Sequence, residues 1–293
     1  MRIVMIGHSS AGKTTYMASM YRVMNAGHRG FRIRAGSEEH HQRLLQDALA
    51  IRKGRFPPPS SHREVYPLVL SYDHRPFFDF TWHDYRGGAL KESATEKDNA
   101  QVIADLVQAD AIIVFADAHA LATLPAAQRD VRRLTVVTHQ AISERATRVP
   151  LVIAYTKADL VGRREWAAVQ APLQALEVAA RNSAVVDGTS VRVCCGRRPR
   201  SVHVPVLWSL AFGLSARIAR LEEEVGHSRR SARSAGSKAS LRDSFDSWLN
   251  GTKSYRRISA DYDRTAEQTL AEIEPLREPG RRLEAVLRRA HRV

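Results

Sequence analysis

The sequence predicts an α/β protein: a doubly wound, mostly parallel sheet with a small helical C-terminal appendage. Three observations carry this. Short, almost continuously apolar runs recur at Arg2–Ile6, Ala111–Ala116 and Val149–Tyr155, the pattern of strands covered on both faces. Stretches of helical period separate them, so neighbouring strands need crossovers and run parallel. Past residue 225 the strand-like runs stop and the texture becomes helical and charged.

Taken in order, Arg2–Ile6 is the first strand and Thr15–Ala26 the first helix. A second helix, Glu38–Ile51, ends before Phe56-Pro57-Pro58-Pro59-Ser60-Ser61, which cannot be helical. Val65–Tyr72 and Phe77–Trp82 read as paired strands joined by Asp73–Pro76. Helical patterns at Asp98–Gln108 and Ala126–Glu144 precede the two buried strands Ala111–Ala116 and Val149–Tyr155. Arg163–Arg181 is a further helix, Val191–Cys195 a last strand, and Val202–Val225 a closing helix that tolerates Pro205 in its first turn. The expected organisation is a domain over 1–225, a Ser/Arg-rich linker over 226–240 and a helical appendage over 241–293. Within the appendage, helices are expected at Leu241–Leu249, Asp261–Leu276 and Arg281–His291, with a break at Glu278-Pro279-Gly280.

Composition narrows the class. At 293 residues and 44% hydrophobic, the chain is long and apolar enough for a buried core, which excludes wholesale disorder. The formal net charge is +14, but 38 of the basic residues are Arg and 7 are Lys, and no run of five or six marks a nucleic-acid patch. Nucleic acid is therefore supported by charge alone. The apolar stretches, Val202–Leu214 among them, fall short of the roughly 20 residues a membrane span needs, so no membrane insertion and a cytoplasmic location are expected. The only cysteines, Cys194 and Cys195, are adjacent and offer neither a disulfide framework nor a zinc site. His40 and His41 face different directions on a helix and make no metal pair.

The chemistry lies at the first strand-to-helix junction. Gly7-His8-Ser9-Ser10-Ala11-Gly12-Lys13-Thr14 satisfies G-x-x-x-x-G-K-[ST] between a strand and a helix, which makes it a phosphate loop. Gly7 and Gly12 let the backbone curl, so that the N–H groups from Ser9 through Thr15 face α- and β-phosphates at a positive helix end. Lys13 would reach the β- and γ-phosphates, and the Thr14 hydroxyl would coordinate Mg²⁺. Phe78-Asp79-Phe80-Thr81-Trp82-His83-Asp84 is a strand ending in a carboxylate, and Asp84 would hold the same ion while the Gly87 backbone would meet the γ-phosphate.

Thr156-Lys157-Ala158-Asp159 follows a buried strand and, beside the first two motifs, resembles the [NT]KxD element of GTPases. That resemblance implies that Asp159 accepts from guanine N1–H and the 2-amino group while the Lys157 stem packs on the base. Adenine lacks this donor pair, so ATP would leave a carboxylate unmatched. Together the motifs match the translation-factor-like class of P-loop GTPases. The octapeptide, Trp82-His83-Asp84-Tyr85-Arg86-Gly87-Gly88 and the Pro-rich segment resemble more closely the bacterial double-GTPase family associated with conflict and defence gene clusters. The resemblance implies GTP or GDP with Mg²⁺, and a protein effector or partner GTPase. It also implies base contacts from the backbone around Cys194 and Cys195, and a further Mg²⁺ ligand at Ser60, less favoured at Ser61.

Many GTPases carry a water-orienting Gln where this chain has Gly88. Intrinsic hydrolysis is therefore expected to be slow, with His83 or Arg86, or a residue from a partner, as the substitute beside Lys13. A GTP-binding scaffold with negligible hydrolysis is the alternative. A P-loop ATPase is a third reading, and Thr156–Asp159 speaks against it.

Overall fold

In a computed structural model of the chain, residues 1–58, 63–85, 96–238 and 255–290 are described. They divide into two compact units, 1–213 with 286–293, and 214–285.

The first unit is built on a seven-stranded sheet in the order β2-β3-β4-β1-β5-β6-β7. Its strands are β1 (Arg2–Gly7), β2 (Phe31–Ala35), β3 (Glu64–Tyr72), β4 (Arg75–Asp84), β5 (Ala111–Asp117), β6 (Val149–Thr156) and β7 (Val186–Arg192). β3 runs antiparallel to both of its neighbours, and β4, β1, β5, β6 and β7 are mutually parallel. The helices are α1 (Lys13–Ala26), α2 (Glu38–Arg52), α3 (Glu96–Val107), α4 (Ala118–Thr123), α5 (Pro125–Ser143), α6 (Trp166–Gln170), α7 (Gln174–Asn182) and the first part of α8 (His203–Lys238). The doubly wound, mostly parallel architecture is as expected from the alternation of buried strands and helices.

Period-2 alternation assigns β1 to two cores. Val4 and Ile6 join a cluster with Ile112, Val114, Leu134, Leu151 and Leu176, from β5, β6, α5 and α7. On the other face Tyr16 of α1 stacks on Trp82 at 5.9 Å and tilts against Phe115 at 4.8 Å. Each fully buried large side chain of this kind contributes about 2 kcal/mol. α2 begins where Ser37 accepts from His40 N–H, with Glu38 and Glu39 at the positive helix end.

Two strand assignments differ from expectation. β2 was not anticipated, and the last strand lies at Val186–Arg192 rather than Val191–Cys195. Val193 still donates to Tyr155 O at 2.8 Å, but Cys194 turns away into a bridge with Arg200. Gly188 lets α7 close on β7, since a Cβ there would stand 2.9 Å from Ala180 Cβ.

The second unit is an antiparallel pair of helices, the remainder of α8 and α9 (Tyr255–Ala290) up to residue 285. Here two expectations are corrected. Residues 226–238 of the expected linker continue α8, because Val225, Ser228, Ala232 and Ala235 recur at the 3–4 spacing of a buried helix face. Ser and Arg disfavour helix only mildly, and this face is held by α9. Pro279 does not end α9, which runs through Pro275 and Pro279. Ile273, Leu276 and Leu283 are buried on either side, and Gly280 brings the backbone close to Leu214 and Ile218. This packing outweighs the lost N–H donors. The Leu241–Leu249 segment lies outside the described residues.

By length and composition, α8 over His203–Ser237 is long and apolar enough to cross a membrane. The separate stretches seen in the sequence join into one helix. Val206, Leu207 and Leu210 are buried in the protein, as in a core helix.

At the start of α8, His203 stacks on His28 at 4.0 Å. Burial, then the nearby His28 and Arg29 charges, push His203 down to about 4. A histidine held neutral in this way supports the fold fully above its unfolded pKa near 6.5 and loses that support as pH falls toward 4. The melting temperature should therefore drop between pH 6.5 and 4.5, and His203→Gln should flatten the drop, as calorimetry across that range would read.

Candidate functional site

The loop from β1 to α1 is shaped by its glycines. A Cβ on Gly7 would lie 2.6 Å from Phe115 O, so no side chain fits where β1 passes β5. Gly12 caps α1 in the left-handed region (φ 81°). Ser10 shares that conformation (φ 66°) and turns the loop between them. Lys13 is buried and donates to Gly7 O at 2.7 Å and His8 O at 3.2 Å, arching across the loop. Burial lowers its ammonium, and the Asp84 carboxylate pulls the other way.

Thr156 ties this loop to the end of β6. Its hydroxyl donates to Ala11 O at 2.8 Å and also reaches Ala116 O at 3.2 Å. Lys157 sits in the left-handed region (φ 51°) and places its ammonium 2.5 Å from Asp117 Oδ2. The aliphatic stem of Lys157 is thus the part left for a ligand. The other Asp117 oxygen accepts from Ala120 N–H and caps α4. Asp117 was not singled out from the sequence, although its place at the end of β5 was a usable signal.

These loops enclose a cavity of about 490 Å³. Ser9, Ser10, Ala11, Gly12, Lys13, Thr14 and Thr15 line one part, and Thr156, Lys157, Asp159, Leu160, Cys195 and Gly196 another. Phe56, Pro57 and Pro58 border it as well, with the Phe56 ring 62% exposed. Ser19 Oγ donates to Cys195 O at 2.9 Å, which anchors that backbone. Cys194 lies beside Asp159 rather than on the wall. Burial and that carboxylate raise its thiol. Gly7 lies beneath the loop, at the level of Phe115.

Asp84 is the buried carboxylate at the end of β4, 1% exposed, and its Oδ1 has no hydrogen-bond partner among the described residues. Burial pushes it up to about 6, against the lowering influence of Lys13. An orphaned carboxylate oxygen near the phosphate loop, together with the Thr14 hydroxyl, suits a hard divalent cation with oxygen ligands. Protonated Asp84 stabilises the fold at low pH, and that support is lost as pH rises through 6. At neutral pH its ionisation costs about 3 kcal/mol at most. Asp84→Asn should therefore melt several degrees above the parent at pH 7.5 without nucleotide, but no higher at pH 4. The same variant should lose any Mg²⁺-dependent gain in nucleotide affinity.

His83 is corrected. Successive β4 residues face opposite sides of the sheet, so Asp84 faces the phosphate loop and His83 faces α3. Arg63 Nη2 donates to His83 Nδ1 at 3.0 Å, which leaves the proton on Nε2 to be donated to Thr81 Oγ1. Burial, then Arg2 and Arg63, lower the ring to about 4. Arg63 also pairs with Asp105 at 3.2 Å and lies over the Tyr85 ring. Bonded to Arg63 and Thr81, His83 is not among the residues that line the cavity. Ser60, Ser61, Arg86, Gly87 and Gly88 lie outside the described residues.

A family model described as Double-GTPase 2 matches residues 2–194. The chain belongs to the Double-GTPase 2 family. It is a GTP-binding P-loop protein, and the elements that enclose the cavity fall within the matched region up to Cys194. Solved structures similar to this family member include the Arl6 BBS3 small GTPase of Trypanosoma brucei with a bound nucleotide analogue. It is 14% identical, with 73% of this chain and 96% of that one covered, at a TM-score of 0.43. The GTPase-like domain of Saccharomyces cerevisiae Ski7, bound to GDP and inorganic phosphate, is 14% identical over 66% of this chain and 43% of its own, at 0.42. The signal recognition particle receptor SRb-GTP/SRX complex of Chaetomium thermophilum is 15% identical over 72% and 98%, at 0.40. No curated protein matches the chain by sequence.

Proposed function

We propose that this protein is a Mg²⁺-dependent guanine-nucleotide switch that binds GTP, hydrolyses it slowly and signals to a protein effector or partner GTPase. The observation that carries the reading is the single cavity that joins Lys13 and the loop N–H groups to Asp159. A nucleotide laid across it would set its phosphates on the loop and its base between the Lys157 stem and the Asp159 carboxylate. Thr14 and Asp84 would hold Mg²⁺, with Ser60 as the further ligand. Bound there, the ion would supply positive charge against the phosphates. Lys13 would exchange its carbonyl partners Gly7 and His8 for phosphate oxygens. Gly87 N–H would report the γ-phosphate to the segment that follows β4. Family membership supports a setting in bacterial conflict or defence, and two free cysteines suit a cytoplasmic one.

A scaffold that holds GTP with negligible hydrolysis is the second reading. The orientation of His83 toward Arg63 favours it, because that leaves Arg86 or a partner to replace the missing Gln. Titration with fluorescent GDP, GTP and ATP analogues, with and without Mg²⁺, alongside phosphate release, tests both. Guanine-selective binding strengthened by Mg²⁺ is expected. Equal ATP affinity would overturn the base assignment, and binding without release would select the scaffold.

A further inference from the structure

Charge in the second unit is sorted along its length. The stretches 226–238 and 255–257 carry six basic residues and no acidic one, whereas 214–225 and 258–285 carry six basic and ten acidic. The antiparallel pairing brings the basic stretches together, as Ser259 Oγ donates to Ala232 O at 3.0 Å. Arg229, Arg230, Arg233 and Arg256 are exposed, and among the described residues none of the four makes an ion pair. The pairs Arg277–Glu222, Arg264–Asp261 and Arg282–Glu278 fall instead in the acidic stretches.

Helical phase collects the arginines. Val225, Ser228, Ala232 and Ala235 mark the inward face of α8. At 3.6 residues per turn, Arg229 and Arg233 fall about 40° apart on one flank, and Arg230 lies beside them on the outward face. Ala266 and Ile273 mark the inward face of α9. Arg256 then lies on the flank of α9 that, in an antiparallel pair, adjoins the flank of Arg229 and Arg233.

We propose that this end of the helical hairpin binds the phosphate backbone of a nucleic acid. Guanidinium groups match phosphate geometry as bidentate donors. From 229 to 238, α8 places only Ser, Ala, Gly and Lys between its arginines. It therefore lacks both the large apolar side chains that an interfacial membrane helix buries and the aromatic anchors of a protein hot spot. Tyr255, 40% exposed at the start of α9, adds a ring on which a base can stack.

The test is fluorescence anisotropy of the full chain with a labelled single-stranded RNA and a DNA duplex, each about 20 nucleotides long, across a salt series. Arg229→Glu/Arg233→Glu/Arg256→Glu should weaken binding at least tenfold and flatten the log K against log salt slope by about 2 to 3. Arg217→Glu/Arg220→Glu/Arg281→Glu makes the same charge change in the acidic stretches and should cost much less. Unchanged far-ultraviolet circular dichroism in both variants secures the comparison. Equal losses in the two variants would reduce the effect to net charge and overturn the proposal. So would undiminished binding by the first variant, or binding to phosphatidylserine vesicles without binding to either nucleic acid. RNA against duplex affinity separates the two sources of phosphate.

Discussion

Lys13→Ala is expected to lower GTP and GDP affinity by at least about 100-fold while leaving the melting temperature of the nucleotide-free protein within a few degrees. Each charge-assisted hydrogen bond from the ammonium to phosphate is worth about 1.5–3 kcal/mol, and two of them exceed the 100-fold mark. Stability responds differently. Lys13 is buried and its ammonium is disfavoured by that burial, so truncation relieves desolvation. Against this stand the bonds to Gly7 O and His8 O, each worth about 1 kcal/mol. Parallel binding titration and thermal melts check the pair of outcomes. Near-parent affinity in the variant would remove the loop from nucleotide binding.

Asp159→Asn is expected to cost about 100-fold in GTP affinity with little change for ATP, which collapses the discrimination between bases. The carboxylate is exposed on the cavity wall, where it can accept two N–H donors from one edge of a base. An amide offers one acceptor and one donor, so one contact is lost and another becomes repulsive. Competition titration of GTP against ATP on parent and variant reads the ratio directly. A variant that still prefers GTP would mean that base reading lies elsewhere, for example in the backbone of Cys195 and Gly196.

Much of this was legible in the sequence, for identifiable reasons. β1, β5 and β6 are continuous apolar runs because both their faces are covered, and the glycines and lysine of the phosphate loop have fixed chemistry. β2 escaped notice because Phe31-Arg32-Ile33-Arg34-Ala35 is short and shows only half a face, at the edge of the sheet. The continuation of α8 was hidden for a different cause. Ser, Arg, Ala and Gly look like a linker until α9 lies alongside, where Ser259 donates to Ala232 O and Ala232 and Ala235 are buried. The contacts of His83 with Arg63 and Thr81 were not legible, because neighbours in a strand face opposite sides of the sheet. The Lys157–Asp117 pair joins residues forty positions apart and needed the β5–β6 register to appear.

The Thr156 hydroxyl, shared between Ala11 and Ala116, has a consequence for how a ligand would be felt. It joins the two recognition loops through one short, buried bridge, so neither can drift without straining the other. Their relative spacing is settled when the chain folds rather than when a ligand arrives, and the entropy of ordering them is not charged to binding. A base that seats poorly against Asp159 would then displace the phosphates at the far end of the cavity, making the two halves of a nucleotide interdependent guests.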